Sequence, residues 1–114
     1  MEKESGEKYV VASRTLIVAL PQEVDDYLCE GIRKEIARYF ENYDLNRIIF
    51  DFGKTKFMDS SGIGLLLYFY KILKGQDGEI LLYGEDIRME KILRMSGMYQ
   101  IMKHTNKKNW KGEY

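Results

Sequence analysis

Apolar positions along the chain change their spacing several times, and each change marks an element. Tyr9-Val10-Val11-Ala12 and Leu16-Ile17-Val18-Ala19-Leu20 are β-branched-rich runs separated by Ser13-Arg14-Thr15, which predicts an antiparallel hairpin. Pro21, the only proline, stops the second strand because it has no N–H to offer a continuing ladder. From Val24 the spacing lengthens. Val24, Leu28, Ile32, Ile36 and Phe40, with Tyr27 and Tyr39 beside them, form the apolar stripe of a helix whose opposite face is charged. Asn42 and Asp44 close that helix, and Arg47 to Phe52 follows as a short, mostly apolar strand ending at Gly53.

Lys54 to Met58 then leads into Asp59-Ser60-Ser61-Gly62, and a helix from about Ser61 to Lys74 is apolar on nearly every side, so it must be extensively covered. Gly75 supplies a cap, Asp77-Gly78 a turn, and Glu79 to Gly84 a further strand. Strand, helix and strand in that order predict a right-handed parallel βαβ unit. The last helix runs from about Ile87 to Met95, with Met89, Ile92 and Leu93 facing inward, and ends at Ser96-Gly97; Met98, Ile101 and Met102 cap the core. The fold class is therefore α/β: a small mixed β-sheet with helices packed on it, opening with an N-terminal hairpin followed by βαβ units.

Bulk composition narrows the class. A length of 114 residues fits one domain over 1–114, with a core at about 8–105 and loosely ordered termini. Hydrophobic residues at 45% and charged residues at 32% suit a chain that buries a core and argue against disorder. Lys+Arg and Asp+Glu are both 18, so net charge draws the chain neither to nucleic acid nor to an acidic membrane, and no direct nucleic-acid contact is expected. Met1 to Gly6 lacks the apolar run of a signal peptide, and no stretch approaches the ~20 apolar residues of a membrane span; the expected place is the cytoplasm, with no membrane contact. Cys29 is the only cysteine, which rules out an internal disulfide and a Cys-based metal cage. His104, the sole histidine, is expected at the surface. With no nucleophile–base–acid set and no phosphate-binding glycine loop, the chain reads as a non-enzyme without metal or cofactor. Lys103, Lys107, Lys108 and Lys111, with Trp110 among them, read as a solvated terminus or as a docking patch for an acidic partner.

The segment that could carry function is the loop leaving the carboxyl end of a strand and starting a helix, where open α/β sheets usually place ligands. There Asp59-Ser60-Ser61-Gly62 stands between two apolar stretches, exposed on a rigid base. Asp and Ser at a helix start also cap orphan amides, each cap being worth ~1 kcal/mol, so capping and partner contact both fit these residue types.

Asp51-Phe52 through Phe57-Met58-Asp59-Ser60-Ser61-Gly62-Ile63-Gly64 resembles the signature of bacterial anti-sigma-factor antagonists within the STAS family. Arg94-Met95-Ser96-Gly97-Met98 is similar to that family's helix ending in a Ser-Gly step, and element order agrees over roughly residues 8 to 105. The resemblance implies a switch. The unmodified protein binds an anti-sigma factor that is also a serine kinase and frees a sigma factor for transcription in sporulation or stress control; phosphorylation reverses the binding, and a serine phosphatase resets it. The acceptor it implies is Ser60, with Asp25, Asp59, Ser60, Ser61 and Gly62 at the partner surface. Asp25 belongs to Glu23-Val24-Asp25, standing in for the family's Gly-Glu-hydrophobic-Asp, with Pro21 in the region where a glycine is expected; as an acid near a helix start, Asp25 also favours the helix N-terminus. The alternative within the same family is a non-switching subunit of a larger signalling assembly.

Overall fold

The computed structural model describes residues 8–106. Along the chain run β1 (Tyr9–Ala12), β2 (Thr15–Ala19), β3 (Glu23–Val24), α1 (Asp26–Asn42), β4 (Arg47–Asp51), β5 (Phe57–Met58), α2 (Ser60–Lys74), β6 (Glu79–Tyr83), α3 (Ile87–Met95), a 3₁₀ turn (Met98–Gln100) and β7 (Lys103–His104). Five strands make one mixed sheet in the order β1-β2-β4-β6-β7. The hairpin β1–β2 is antiparallel, and every later pair is parallel. Ser13 and Arg14 turn the hairpin with φ of 51° and 61°, the paired left-handed geometry whose twist matches that of the flanking strands.

The central strands are apolar at nearly every position because both faces are covered. Leu16 and Val18 of β2, Ile48 and Phe50 of β4, and Ile80 and Leu82 of β6 share one core with Ile36, Leu66, Phe69, Leu73, Met89 and Leu93 from the helices. The alternate residues Ile17, Ile49 and Leu81 form a second buried cluster, with Val10 and Tyr83 packed against it. Burying one such aliphatic side chain contributes roughly 1.5–3 kcal/mol, so the sheet is the main hydrophobic anchor of the domain. Among the described residues no helix is long and apolar enough to cross a membrane.

Several expected details are corrected. Val24 lies in β3, not in α1, and Tyr27 and Leu28 are exposed at 87% and 37%. The buried face of α1 is built from Cys29 and Ile36, with Ile32, Tyr39 and Phe40 packed beside them. A strict spacing of four advances about 40° around the helix at each step, so a stripe drawn from Val24 to Phe40 drifts off any single face. Gly75 does cap α2, as expected, but in a right-handed conformation (φ −69°); the left-handed position of that turn falls on Asp77 (φ 63°), and the Gly78 amide donates to the Leu73 carbonyl at 2.7 Å. Met98 and Met102 are buried in the core, whereas Ile101 is half-exposed. α2 starts at Ser60, one residue before the expected Ser61. The two-residue strands β3, β5 and β7 were not anticipated, being too short to carry a period. Lys107, Lys108, Trp110 and Lys111, and the expected loose ends of the chain, lie outside the described residues.

Candidate functional site

The site is created by the small ribbon β3–β5. Its strands pair in parallel with Val24 opposite Met58, so the next residues, Asp25 and Asp59, arrive side by side and α1 and α2 begin together. The Asp59 amide closes the ribbon by donating to the Val24 carbonyl at 3.2 Å. Beneath, the Thr55 hydroxyl, almost fully buried, donates to the Pro21 carbonyl at 2.9 Å, and the Lys56 amide donates to the Gln22 carbonyl at 2.8 Å. The loop carrying Pro21 is therefore tied directly to the strand that leads into Asp59.

Both aspartates cap their helices. Asp25 Oδ1 accepts from the Leu28 amide at 3.0 Å, and Asp59 Oδ1 accepts from the Ser61 amide at 2.9 Å and the Gly62 amide at 3.4 Å. Each capped amide is one of the four left without a partner in a first helical turn. Ser60 is the first residue of α2 and exposed; among the described residues its hydroxyl has no partner. The Ser61 hydroxyl differs, donating across to Asp26 Oδ1 at 3.1 Å and so linking the two helix starts. Gly62 lies buried: a Cβ there would stand 2.1 Å from Cγ of Met58 and 3.1 Å from Cγ1 of Val24. It supplies the close approach of α2 to the ribbon, which holds Ser60 outward.

Electrostatics mark the same place. Burial pushes the Cys29 thiol up to about 11, and the carboxylates of Asp59, Asp25 and Asp26 push in the same direction. Three negative charges thus converge above the first turn of α1, held by two helix N-termini whose dipoles favour them. From Ser61 a groove of about 300 Å³ runs between α1 and α2, lined by Asp26, Cys29, Glu30, Arg33, Leu65 and Tyr68 among others. Arg33 stacks over the Tyr68 ring, 5.6 Å from its centroid. Asp25, Asp59, Ser60, Ser61 and Gly62 are all brought into one cluster. Asp26 is the member the sequence reading missed, and its only signal is an acid in a first turn, which says nothing of Ser61 35 residues away.

Residues 8–109 match the model of the STAS domain family. The chain belongs to that family. An anti-sigma F factor antagonist of Paenibacillus polymyxa is 30% identical over 87 residues, which cover 76% of this chain and 74% of that protein. The anti-sigma factor antagonist SpoIIAA in its unphosphorylated form superposes with a TM-score of 0.77 at 28% identity, covering 88% of each chain. The Bacillus cell fate determinant SpoIIAA in its phosphorylated form gives 0.69 at 29% identity, covering 88% of this chain and 91% of that one. The mixed sheet and three helices of this STAS domain are those of the SpoIIAA fold.

Proposed function

We propose that this STAS domain is an anti-sigma-factor antagonist whose hold on its partner is switched by phosphorylation of Ser60. The observation that carries the reading is the contrast between the two adjacent serines. Ser60 presents an exposed hydroxyl with no partner among the described residues at the first position of α2, while the Ser61 hydroxyl is engaged by Asp26. The curated relative is named for antagonism of an anti-sigma F factor, and SpoIIAA is known in phosphorylated and unphosphorylated forms.

In this reading the partner is an anti-sigma factor with serine kinase activity, docked over Asp25, Asp59, Ser60 and Ser61, with Gly62 setting the height of the loop from below. A serine phosphatase restores the free hydroxyl, and the exchange takes place in the cytoplasm. The protein acts as a binding module, not an enzyme. A phosphoryl group adds about −1.5 to −2 charges with three acceptor oxygens. At the start of α2 the fold tolerates that charge, since an anion near a helix N-terminus gains ~0.3–1 kcal/mol. The partner surface meets added bulk, desolvation and a patch made more negative beside Asp25, Asp26 and Asp59. Each ~1.4 kcal/mol of that penalty weakens binding tenfold.

The test is binding of the cognate serine-kinase anti-sigma factor to wild type, Ser60→Ala and Ser60→Asp, with phosphate incorporation from Mg-ATP mapped by mass spectrometry. Ser60→Ala should bind nearly as wild type and take no phosphate. Ser60→Asp should bind at least about tenfold more weakly. Equal affinity of all three proteins, or phosphate on another residue of the wild type, would overturn the switch.

A further inference from the structure

On the far side of the sheet from the hairpin, Glu85 leaves β6 with a side chain that has no solvent exposure. A buried carboxylate is costly unless its oxygens are bonded. Glu85 is bonded from two directions. Tyr99 of the 3₁₀ turn donates to Oε2 at 2.7 Å, and His104 of β7 places Nδ1 3.0 Å from Oε1 and 3.1 Å from Oε2. The other ring nitrogen of His104 lies 2.9 Å from Oδ1 of Asn106. Both nitrogens thus face oxygen acceptors, the arrangement suited to the imidazolium, which has two N–H donors where neutral histidine has one.

β7 is two residues long, and beyond it the Thr105 amide donates to the Leu82 carbonyl at 2.8 Å. Two-residue strands are weak on their own. Earlier in the chain, Met98 and Met102 are buried in the core.

We propose that Glu85, Tyr99 and His104 form a proton-dependent latch, which fastens the stretch from Lys103 to Asn106 along the edge of β6 when His104 is charged and loosens it when His104 is neutral. Among the described residues, the charged groups beside this cluster include Glu90 and Arg94 of α3 and Lys103 of β7 itself. Glu90 adds to the negative field at His104. Arg94 stacks over the Tyr99 ring, 5.5 Å from its centroid. The hydrogen bond to Asn106, then that to Glu85, hold the His104 pKa above its ordinary 6.5, against a smaller opposing effect of burial. Burial and the bond to Glu85 push the Tyr99 hydroxyl far up, so Tyr99 stays a donor while His104 titrates. A raised folded-state pKa gives stability that is full below 6.5 and is lost as pH rises through the pKa of His104. Loosening uncovers the backbone of β6 at Leu81 and Leu82, an edge open to pairing with another strand.

Because His104 is the only histidine in the chain, its ring gives a single NMR titration. The experiment follows that titration and, in parallel, hydrogen exchange at the Thr105 amide, corrected for intrinsic rate, between about pH 5.5 and about pH 8.5. In wild type His104 should titrate above 6.5, and Thr105 protection should fall with rising pH by up to about tenfold for each unit of that elevation. Glu85→Gln should lower the His104 pKa, and His104→Gln, at an exposed position, should make Thr105 protection independent of pH. A His104 pKa at or below 6.5, or protection in wild type that does not change with pH, would overturn the latch whether or not the Glu85 variant folds.

Discussion

A methyl group placed on Gly62 would lie 2.1 Å from Cγ and 2.6 Å from Sδ of Met58, and 3.1 Å from Cγ1 of Val24. Met58 can swing aside; Val24 is held in the ribbon. Gly62→Ala should therefore cost about 1–3 kcal/mol, read as a lower denaturant midpoint with an unchanged slope. Met58→Ala in the same chain should recover part of that loss, a coupling measurable in a double-mutant cycle. Sequence alone grouped Gly62 with the polar residues before it, since nothing in its neighbours shows that Met58 and Val24 lie beneath. Cys29 shows the same limit. It reads as one more position of α1, yet its thiol is raised to about 11 by burial and by Asp59, Asp25 and Asp26. At pH 8 roughly one thiol in a thousand is then ionised, so reaction with a disulfide reagent should be far slower in the folded protein than after denaturation. Equal rates in both states would show that burial and the three carboxylates do not hold the thiol protonated.

At the scale of elements, the starts of α1 and α2 decide between capping and partner contact. Asp25 and Asp59 each bond amides of their own first turn, so replacing either by Ala should cost ~0.5–2 kcal/mol of stability whatever the partner does. If they also touch the partner, affinity should fall further than the loss of folded protein explains. The measurement is binding at a temperature where both variants remain fully folded. Unchanged affinity there would leave them as caps alone. The long elements were legible because each repeats its pattern over several turns or pleats: the limits of α3 were read directly, and β1, β4 and β6 to within a residue. The ribbon β3–β5 was not, and it is the element that sets both helix starts in register.

For the whole molecule, the fold and the proposed switch can be told apart by experiment. The hairpin and the parallel βαβ unit followed from hydrophobic spacing, because they depend on which residues must leave water. The pairing of Asp25 with Asp59 depends on a contact across 34 positions, which spacing cannot express. Leu66 is fully buried between α2 and the sheet, so Leu66→Ala should remove ~2–5 kcal/mol and lower the melting temperature on the order of 10 °C or more. Ser60→Asp changes an exposed residue at a helix start, where a negative charge is favoured, and its melting temperature should stay within a few degrees of wild type. Thermal melts of the two variants beside the binding assay therefore distinguish a loss of fold from a loss of partner. Were Ser60→Asp to melt as early as Leu66→Ala, the charge at α2 would be acting on the core, and a switch confined to the surface would be excluded.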